Sequence, residues 1–521
     1  MPCALNPVPL PAMAKKVRVR FAPSPTGGLH LGGVRTVLYN YLFARHHGGD
    51  FILRIEDTDQ SRFVPGAEEY IMSCLQWVGL IPDESPATGG PYAPYRQSER
   101  KSMYREYAEF LVKEGKAYYA FDRPEELDTM RERFKTAENP SPQYDHKVRL
   151  EMRNSCSLTL EETERLLEDG VPHVIRIRMP ENETVSFTDM IRGEVHFNTG
   201  LVDDKVLLKA DGMPTYHLAV VVDDYLMKIT HAFRGEEWLP SAPVHILLWK
   251  YLGWEADMPQ WAHLPLILKP DGNGKLSKRD GDRLGFPVFA MNWTDPRSNE
   301  HTKGFREMGF LPEAFINMLA MLGWNDGTEQ ELFTLNELVQ KFSLDRVHKG
   351  GARFDFEKAR WFNHEWIKRS EVRSLKEEVR KILGQHGVVV TNEHKLETVI
   401  GLVKERCTLL TDFYEQSKFF FTAPAQWDVD SVKPKWNEAK KETFTVLAER
   451  YAALPEWNSQ STENLLKEVA AEKNIKPGEM QMPLRIMLVG GKFGPPVFQI
   501  AEVLGREETI ARIQKALLIF N

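Results

Sequence analysis

Near the start of the chain, the spacing of apolar residues switches between the pattern of a strand and the pattern of a helix. A short apolar run at 17–22 predicts a strand, and helical spacing follows over 34–46. A second strand is predicted at 50–57, and helical spacing returns after Pro65. The order strand, helix, strand, helix indicates a parallel α/β unit.

The pattern changes in the next hundred residues. Residues 98–135 are charged and mostly helical in spacing, and the stretches HVIRIRM, TVSFTDM and GEVHF alternate like strands. Residues 207–239 return to strand and loop character around an apolar centre, and 241–254 resumes helical spacing. We therefore expect a smaller α+β insert that interrupts the α/β sheet.

Helical periodicity dominates from about residue 305 to the C-terminus. The last stretch, AEVLGREETIARIQKAL, carries one apolar stripe and is predicted as one helix with these residues on its face: Val503, Leu504, Ile510, Ile513 and Leu517. The second half of the chain is thus expected to be all-α.

Length and composition indicate an ordinary soluble protein of several domains. The chain has 521 residues, 42% hydrophobic and 27% charged, and no apolar run approaches the roughly 20 residues that span a bilayer. The net charge of −7 means that any nucleic acid must be bound by local basic patches. The four cysteines are far apart in sequence, which argues against a disulfide framework and favours a reducing, cytoplasmic location.

The first sixteen residues do not resemble a targeting segment. They contain no long apolar run and no arginine, so neither a signal peptide nor a transit peptide is predicted. We expect a disordered tail over residues 1–15, with Met13 as an alternative start.

The first chemical motif is RFAPSPTGGLHLGG at 20–33, between the first strand and the first helix. A glycine-rich turn at a helix N-terminus presents backbone N–H groups and the positive end of the dipole to an anion. Gly32 and Gly33 would let a flat ligand lie on the backbone, and His30 can donate a hydrogen bond to a phosphate. The same pattern also fits a tight loop whose histidine caps the helix.

The second motif is the basic loop GKLSKRDGD at 274–282. Lys275, Ser277 and Lys278 could fold over a triphosphate, where two ammonium groups would stabilise the charge that develops as pyrophosphate leaves. By itself such a loop is commonly solvated surface.

The two motifs together resemble the signatures of class I aminoacyl-tRNA synthetases. The stretches RIEDTD, PTYHLAVVVDD and RGEEWLPSAP are similar to the glutamyl-tRNA synthetase family, and the ending MPLRIMLVGGKFGPPVFQIAEVLG resembles its bacterial type. The resemblance implies an α/β fold: a class I Rossmann-like catalytic domain with an α+β insert, followed by all-α stem-contact and anticodon-binding domains. The implied ranges are 16–95 and 206–272 for the two catalytic halves, 96–205 for the inserted acceptor-binding domain, 273–368 for the lysine loop and stem-contact domain, and 369–521 for the anticodon-binding domain.

The resemblance also implies an active site. His30, Lys275 and Lys278 would be catalytic. ATP would be bound by Pro23, Ser24, Pro25, Thr26, His30, Gly32, Gly33, Lys275, Ser277 and Lys278. Glutamate would be bound by Arg20, Ser24, Glu56, Tyr216 and Arg234, with Arg20 and Tyr216 at the side-chain carboxylate, Arg234 at the α-carboxylate and Glu56 at the ammonium. Charge-assisted forks between arginine and carboxylate are the physical reason for two arginines there.

The implied activity is glutamate–tRNA ligation with ATP and Mg²⁺, by a monomer whose partners are L-glutamate, ATP and tRNA(Glu). Two alternatives stay open: an enzyme that also glutamylates tRNA(Gln), and a non-catalytic tRNA-binding paralogue. Intact His30, Lys275 and Lys278 argue against the second. In the tail, Lys433, Lys435, Trp436 and Arg485 are of types that contact unpaired bases.

Three stretches depart from the family pattern. Ala120 and Asp122 stand where many relatives have zinc-binding cysteines, so no zinc is predicted and the residues there are expected to pack as a core. Val220 replaces a polar residue common near the pocket. The segment 286–303 is longer than the usual linker, and its role is not predicted.

Overall fold

The computed structural model of the chain describes residues 15–272 and 274–520. The predicted tail, apart from Lys15, lies outside the described residues, and so do Met13 and Cys3. The chain divides into two compact units: one runs to residue 305 and includes 316–355, and the other contains 306–315 and the residues from 356 onward.

Short strands and longer helices alternate through the first unit, and helices fill the second. The strands are β1 Arg18–Phe21, β2 Asp50–Leu53, β3 Ala117–Ala120, β4 Val174–Ile177, β5 Thr184–Asp189, β6 Gly193–Asn198, β7 Val206–Leu208, β8 His231–Gly235, β9 Gln260–Leu264, β10 Ile267–Leu268, β11 Trp293–Thr294, β12 His301–Thr302 and β13 Ala352–Arg353. The helices are α1 Leu31–His46, α2 Ala67–Trp77, α3 Lys101–Lys113, α4 Pro124–Phe134, α5 Leu160–Glu168, α6 Tyr216–Leu226, α7 Ala242–Tyr251, α8 Lys278–Leu284, α9 Phe305–Met308, α10 Pro312–Met321, α11 Leu335–Lys341, α12 Phe356–Arg369, α13 Val372–Gln385, α14 Glu393–Val403, α15 Asp412–Phe421, α16 Val429–Val432, α17 Glu438–Ala453, α18 Ser459–Glu472, α19 Pro477–Val489, α20 Val497–Leu504 and α21 Arg506–Leu517.

The predicted parallel sheet is present, with strand order β2-β1-β8-β9. The predicted second strand, 50–57, ends as a regular element at Leu53. Its ladder nevertheless continues, because the amide of Arg54 donates to the Phe21 carbonyl (3.0 Å) and that of Glu56 to the Pro23 carbonyl (2.9 Å). The residues that follow β1 and β2 are therefore held together at the carboxyl edge of the sheet.

The expectation of strand and loop character for the whole of 207–239 is wrong in its centre. Tyr216–Leu226 is the helix α6, and the structure buries Leu218 through Asp224 without a gap. A helix covered on all sides has no polar stripe, so its sequence lacks the periodicity that reveals a half-exposed helix. The strand β8 follows at His231.

The insert is α+β, as predicted. β3, β4 and β7 form an antiparallel sheet, and β5 pairs with β6 as a hairpin. Ala120 packs in a buried cluster with Tyr118, Met130 and Tyr144, and Asp122 accepts hydrogen bonds from the Tyr144 hydroxyl (2.9 Å) and the Arg153 amide (2.7 Å). Of the two positions where relatives have cysteines, Ala120 belongs to a packed core, and Asp122 is a half-buried carboxylate bonded beside it.

The second unit is all-α around one apolar core. The predicted C-terminal helix is two helices, because Gly505 has a φ of 85° and separates α20 from α21. Trp436 donates to the Phe520 carbonyl (3.2 Å), and Arg485 donates to the carbonyls of residues 493–495. These two side chains support the fold of the unit, whereas Lys433 and Lys435 are exposed.

Across the described part of the chain, no helix combines the length and the apolar character needed to cross a membrane.

Candidate active site

A cavity of about 980 Å³ opens at the carboxyl edge of the sheet in the first unit. The structure brings together in its wall all but one of the predicted site residues: Arg20, Pro23, Ser24, Pro25, Thr26, His30, Gly32, Gly33, Glu56, Tyr216, Arg234, Lys275 and Ser277. The exception is Lys278, which lines a second cavity of about 380 Å³. Pro23, Ser24 and Thr26 belong to the walls of both cavities, so the two are neighbours.

His30 performs the capping role that the sequence left open. Its Nδ1 accepts the amide hydrogen of Gly32 (3.2 Å), which requires the proton of the neutral ring to sit on Nε2. Burial, with a smaller contribution from Lys275, lowers the pKa of His30 to about 4. Nε2 is buried and has no partner among the described residues. His30 is therefore a neutral donor whose free N–H belongs to the cavity wall.

The backbone amides at the start of α1 are already bonded. The amide of Leu31 donates to the Val288 carbonyl (2.8 Å), and those of Gly33 and Val34 donate to the His30 carbonyl. The first amides of α1 are therefore used by the segment after α8 and by the histidine cap, and anion binding by the turn stays a prediction. A Cβ at Gly32 would contact only the His30 ring (3.6 Å), so Gly32 keeps its backbone accessible from the cavity.

Two arginines and two carboxylates form a buried group beneath the cavity. Arg20 donates to both carboxylate oxygens of Asp224 (3.1 and 3.2 Å), and Arg54 donates to Asp224 (2.8 Å) and to Glu56 (3.0 Å). Burial favours the neutral form of Asp224, but Arg20 and Arg54 outweigh it and hold its pKa below the usual value. Burial raises the pKa of Glu56 although Arg54 and Arg20 oppose the shift. The formal charges of these four groups cancel.

Arg234 is a buried cation in a different setting. Its Nε donates to His263 (3.0 Å), and its Nη1 lies 3.2 Å from the Tyr216 hydroxyl and 3.1 Å from Nδ1 of His245. Burial lowers the pKa of His263 and, more strongly, that of His245, so both rings are neutral. Nη2 has no partner, and no carboxylate lies within 4 Å of the guanidinium among the described residues. Arg234 thus offers an uncompensated positive charge to the cavity.

The basic loop places its two lysines against glutamates. Lys275 lies 2.5 Å from Glu237, and Lys278 lies 2.7 Å from Glu300. Ser277 caps α8 through Asp280 and is the boundary between the loop and the helix. The segment 286–303 carries the hairpin β11–β12, which supplies Glu300.

Sequence reasoning missed the buried partners of the site. Asp224 and Arg54 organise the arginine–carboxylate group, and His245 and His263 surround Arg234. Charged residues inside apolar runs, as in FILRIED and AVVVDD, are the signal that could have identified the first two.

Across residues 15–272 and 274–520, no group of three or more His, Cys, Asp or Glu side chains is arranged so that it could hold a metal ion. Mg²⁺ is ordinarily held by one or two carboxylates together with substrate phosphates and water. A metal that arrives on a nucleotide therefore does not need a cluster of three protein ligands.

Comparison with known families defines the class first. Residues 16–361 match the family described as tRNA synthetases class I (E and Q), catalytic domain, and residues 372–517 match an anticodon binding domain. The fold is therefore that of a class I aminoacyl-tRNA synthetase.

Individual relatives narrow this class. The chain is 52% identical to the glutamate–tRNA ligases of Amoebophilus asiaticus and Bacteroides fragilis, over 97% of this chain and 99% of each relative. A crystal structure of a glutamate tRNA ligase from Elizabethkingia meningosepticum in complex with its amino acid superposes with a TM-score of 0.93, at 50% identity, over 97% of this chain and all of the other. The chain belongs to the glutamate–tRNA ligase family.

Proposed function

We propose that this chain activates L-glutamate with ATP and transfers the glutamyl group to the 3′ end of tRNA(Glu). The observation that carries the proposal is Arg234, a buried guanidinium whose partners are neutral and whose Nη2 is unpaired in the cavity wall. An uncompensated buried cation is costly, and a substrate carboxylate would relieve that cost through a charge-assisted fork.

The amino-acid pocket is formed by Arg20, Ser24, Glu56, Tyr216 and Arg234. Because the Tyr216 hydroxyl is bonded to Arg234, we propose that these two residues bind the same carboxylate, rather than Tyr216 acting with Arg20. Arg20, already compensated by Asp224, would contribute a fixed dipole and shape. Glu56 would receive the substrate ammonium, which would favour its ionised form.

The nucleotide would lie on the PSPTGGLHLGG segment. His30 would donate its Nε2 hydrogen to a phosphate or ribose oxygen, and Gly32 would allow close approach to the backbone. Lys275, Ser277 and Lys278 would close over the triphosphate once the lysines exchange their glutamate partners for phosphate oxygens. Mg²⁺ would enter with ATP as part of the substrate.

The reaction would proceed in two displacements. An oxygen of the glutamate α-carboxylate attacks the α-phosphorus, the bond to pyrophosphate breaks, and glutamyl-AMP forms. A hydroxyl of the terminal tRNA adenosine then attacks the glutamyl carbonyl, and AMP leaves. No side chain acts as the nucleophile, so catalysis rests on positioning and on stabilisation of the phosphate charge.

The test is charging with labelled glutamate on two purified transcripts, tRNA(Glu) and tRNA(Gln). Charging of the first alone supports a discriminating ligase, and charging of both would replace that proposal with a non-discriminating one. Charging of neither, with tRNA still bound, would overturn the catalytic proposal. An Arg234→Lys variant assayed alongside should raise the KM for glutamate at least tenfold, because a point charge replaces a planar fork.

We further propose that the enzyme acts as a cytoplasmic monomer with the domain ranges implied by the sequence. Sedimentation at micromolar concentration should give one species near the 60.0 kDa of the chain. A species of twice that mass would contradict it.

A further inference from the structure

Three buried groups form a hydrogen-bonded chain that starts at Asp189 on β5, passes through His263 on β9 and ends at Arg234 on β8. Nε of Arg234 donates to Nε2 of His263 (3.0 Å), and Nδ1 of His263 lies 2.6 Å from a carboxylate oxygen of Asp189. The side chains of His263 and Asp189 are fully buried. Neither residue lines the cavity, so neither can touch a substrate there.

The two ends of this hydrogen-bonded series, Arg234 and Asp189, fix the positions of its protons. An arginine Nε–H can only donate, so Nε2 of His263 must accept. The ring proton therefore lies on Nδ1 and is donated to Asp189. Burial lowers the pKa of His263, which keeps the ring in this neutral form.

Asp189 is itself held by the backbone. One of its oxygens accepts the amides of Ile191 (3.0 Å) and Arg192 (2.9 Å), and the other accepts the amide of His263 (3.1 Å) as well as its ring N–H. All four interactions are donations to the carboxylate. An asparagine at this position would have to turn its NH₂ group toward one pair of these donors.

The other side of Arg234 is fixed too. Nη1 is bonded to Tyr216 and His245, which leaves Nη2 as the group without a partner. The orientation of the planar guanidinium, and with it the direction of Nη2, therefore depends on the acceptor at His263.

We propose that Asp189 is a positioning residue for amino-acid binding: acting through His263, it orients Arg234 toward the substrate carboxylate. The inference rests on the proposed function, in which Arg234 binds glutamate. Asp189 ends β5, so the segment predicted as the insert supplies a determinant of the amino-acid pocket.

The test is Asp189→Asn, assayed by glutamate-dependent ATP–pyrophosphate exchange with saturating tRNA. If the NH₂ group turns toward His263, the ring must shift its proton to Nε2, which then opposes the Arg234 N–H. We expect the KM for glutamate to rise at least tenfold and the KM for ATP to change less than twofold. A merely structural loss would lower the active fraction or move both KM values together.

The matched control is Asp204→Asn. Asp204 is an equally buried carboxylate of the same segment, bonded to Arg149, Tyr118 and the Met179 amide, and it does not contact the site. Equal rises in the glutamate KM for Asp189→Asn and Asp204→Asn would overturn the proposal.

A second pair of variants covers the case in which Asp189→Asn does not fold. His263→Gln can place an amide oxygen near the position of Nε2 and keep an acceptor for Arg234, whereas His263→Asn reaches only Asp189. A larger glutamate KM for His263→Asn than for His263→Gln supports the proposal, and the reverse order contradicts it.

The variants also separate the two proposals. If Arg234→Lys leaves the glutamate KM unchanged, the proposed function of Arg234 itself fails. If Arg234→Lys raises the glutamate KM but Asp189→Asn does not, the positioning role alone fails.

Discussion

Lys278 and Glu300 form an ion pair of 2.7 Å, and both side chains line the smaller of the two cavities. Glu300 comes from the segment 286–303, for which the sequence offered no role. A phosphate that binds Lys278 must first displace this carboxylate. Under the proposed function, the hairpin therefore competes with the nucleotide for a lysine of the basic loop.

Removing that competitor should tighten ATP binding. Glu300 is more than half exposed, and exposed ion pairs contribute about 0–1 kcal/mol. We expect Glu300→Gln to lower the KM for ATP by up to about fivefold, with no change in the KM for glutamate. Glu415→Gln, which breaks an exposed pair with Lys418 in the second unit, is the control and should change neither value. A higher ATP KM for Glu300→Gln would show that the pair assists the nucleotide.

Lys278→Ala should impair chemistry far more than tRNA binding. The ammonium group is expected to stabilise pyrophosphate as it leaves, so its loss should lower adenylate formation by about a hundredfold or more. Burst measurements of glutamyl-AMP and filter binding of tRNA(Glu) report the two effects separately. Equal losses in both measurements would refute the catalytic assignment.

Asp224→Asn should destabilise the first unit strongly. It removes the carboxylate shared by Arg20 and Arg54 and leaves buried positive charge, which typically costs about 3–5 kcal/mol. Urea unfolding followed by circular dichroism measures the change. Asp128→Asn breaks an exposed pair with Arg131 and should cost less than about 1 kcal/mol. Similar values for the two variants would show that the buried group contributes little.

The folded chain should become less stable as the pH decreases, because His231 is harder to protonate in the folded state than in the unfolded state. Burial, together with His47, lowers the pKa of His231 to about 4 in the folded state, whereas the unfolded value is about 6.5. Between these values the unfolded chain binds more protons, so stability decreases as pH falls. Wild type should lose up to about 1 kcal/mol per pH unit more than His231→Gln between pH 5.5 and 4.5. Parallel unfolding profiles would mean that His231 titrates normally.

The insert should fold without zinc. Ala120 is packed in an apolar cluster and Asp122 is bonded to Tyr144 and Arg153, so neither position offers a thiolate. We expect less than about 0.1 zinc per chain by elemental analysis, and full recovery of charging when Mg²⁺ is restored after dialysis against a chelator. One tightly bound zinc per chain would contradict this.

Local patterns were informative where one face of an element meets solvent. The alternation in TVSFTDM predicts β5, because polar residues mark the open side of that strand. Tyr216–Leu226 was missed because its centre is covered all round, and the break at Gly505 was missed because the stripe continues across it. Periodicity reports solvent contact, so it fails where burial is complete.

The cavity could be predicted only in part. Residues in recognisable motifs, such as His30 and Lys275, could be assigned to it from the sequence. The groups that orient them could not, because Arg54 and His263 owe their importance to neighbours 170 and 29 residues away. Only the folded chain brings those partners together.

The hairpin β5–β6 limits which segments of this protein can be exchanged with those of a homologue. The Met190 amide is bonded to the Trp261 carbonyl, and Asp189 is bonded to His263, so the hairpin is tied to β9 as well as to its own segment. An engineer who transplants 96–205 from a homologue therefore exchanges Asp189, the residue proposed to position Arg234, along with the block. A block that keeps these contacts must contain the hairpin together with β9, the strand that carries His263. Chimaeras cut only at residues 96 and 205 would combine a hairpin and a β9 from different parents.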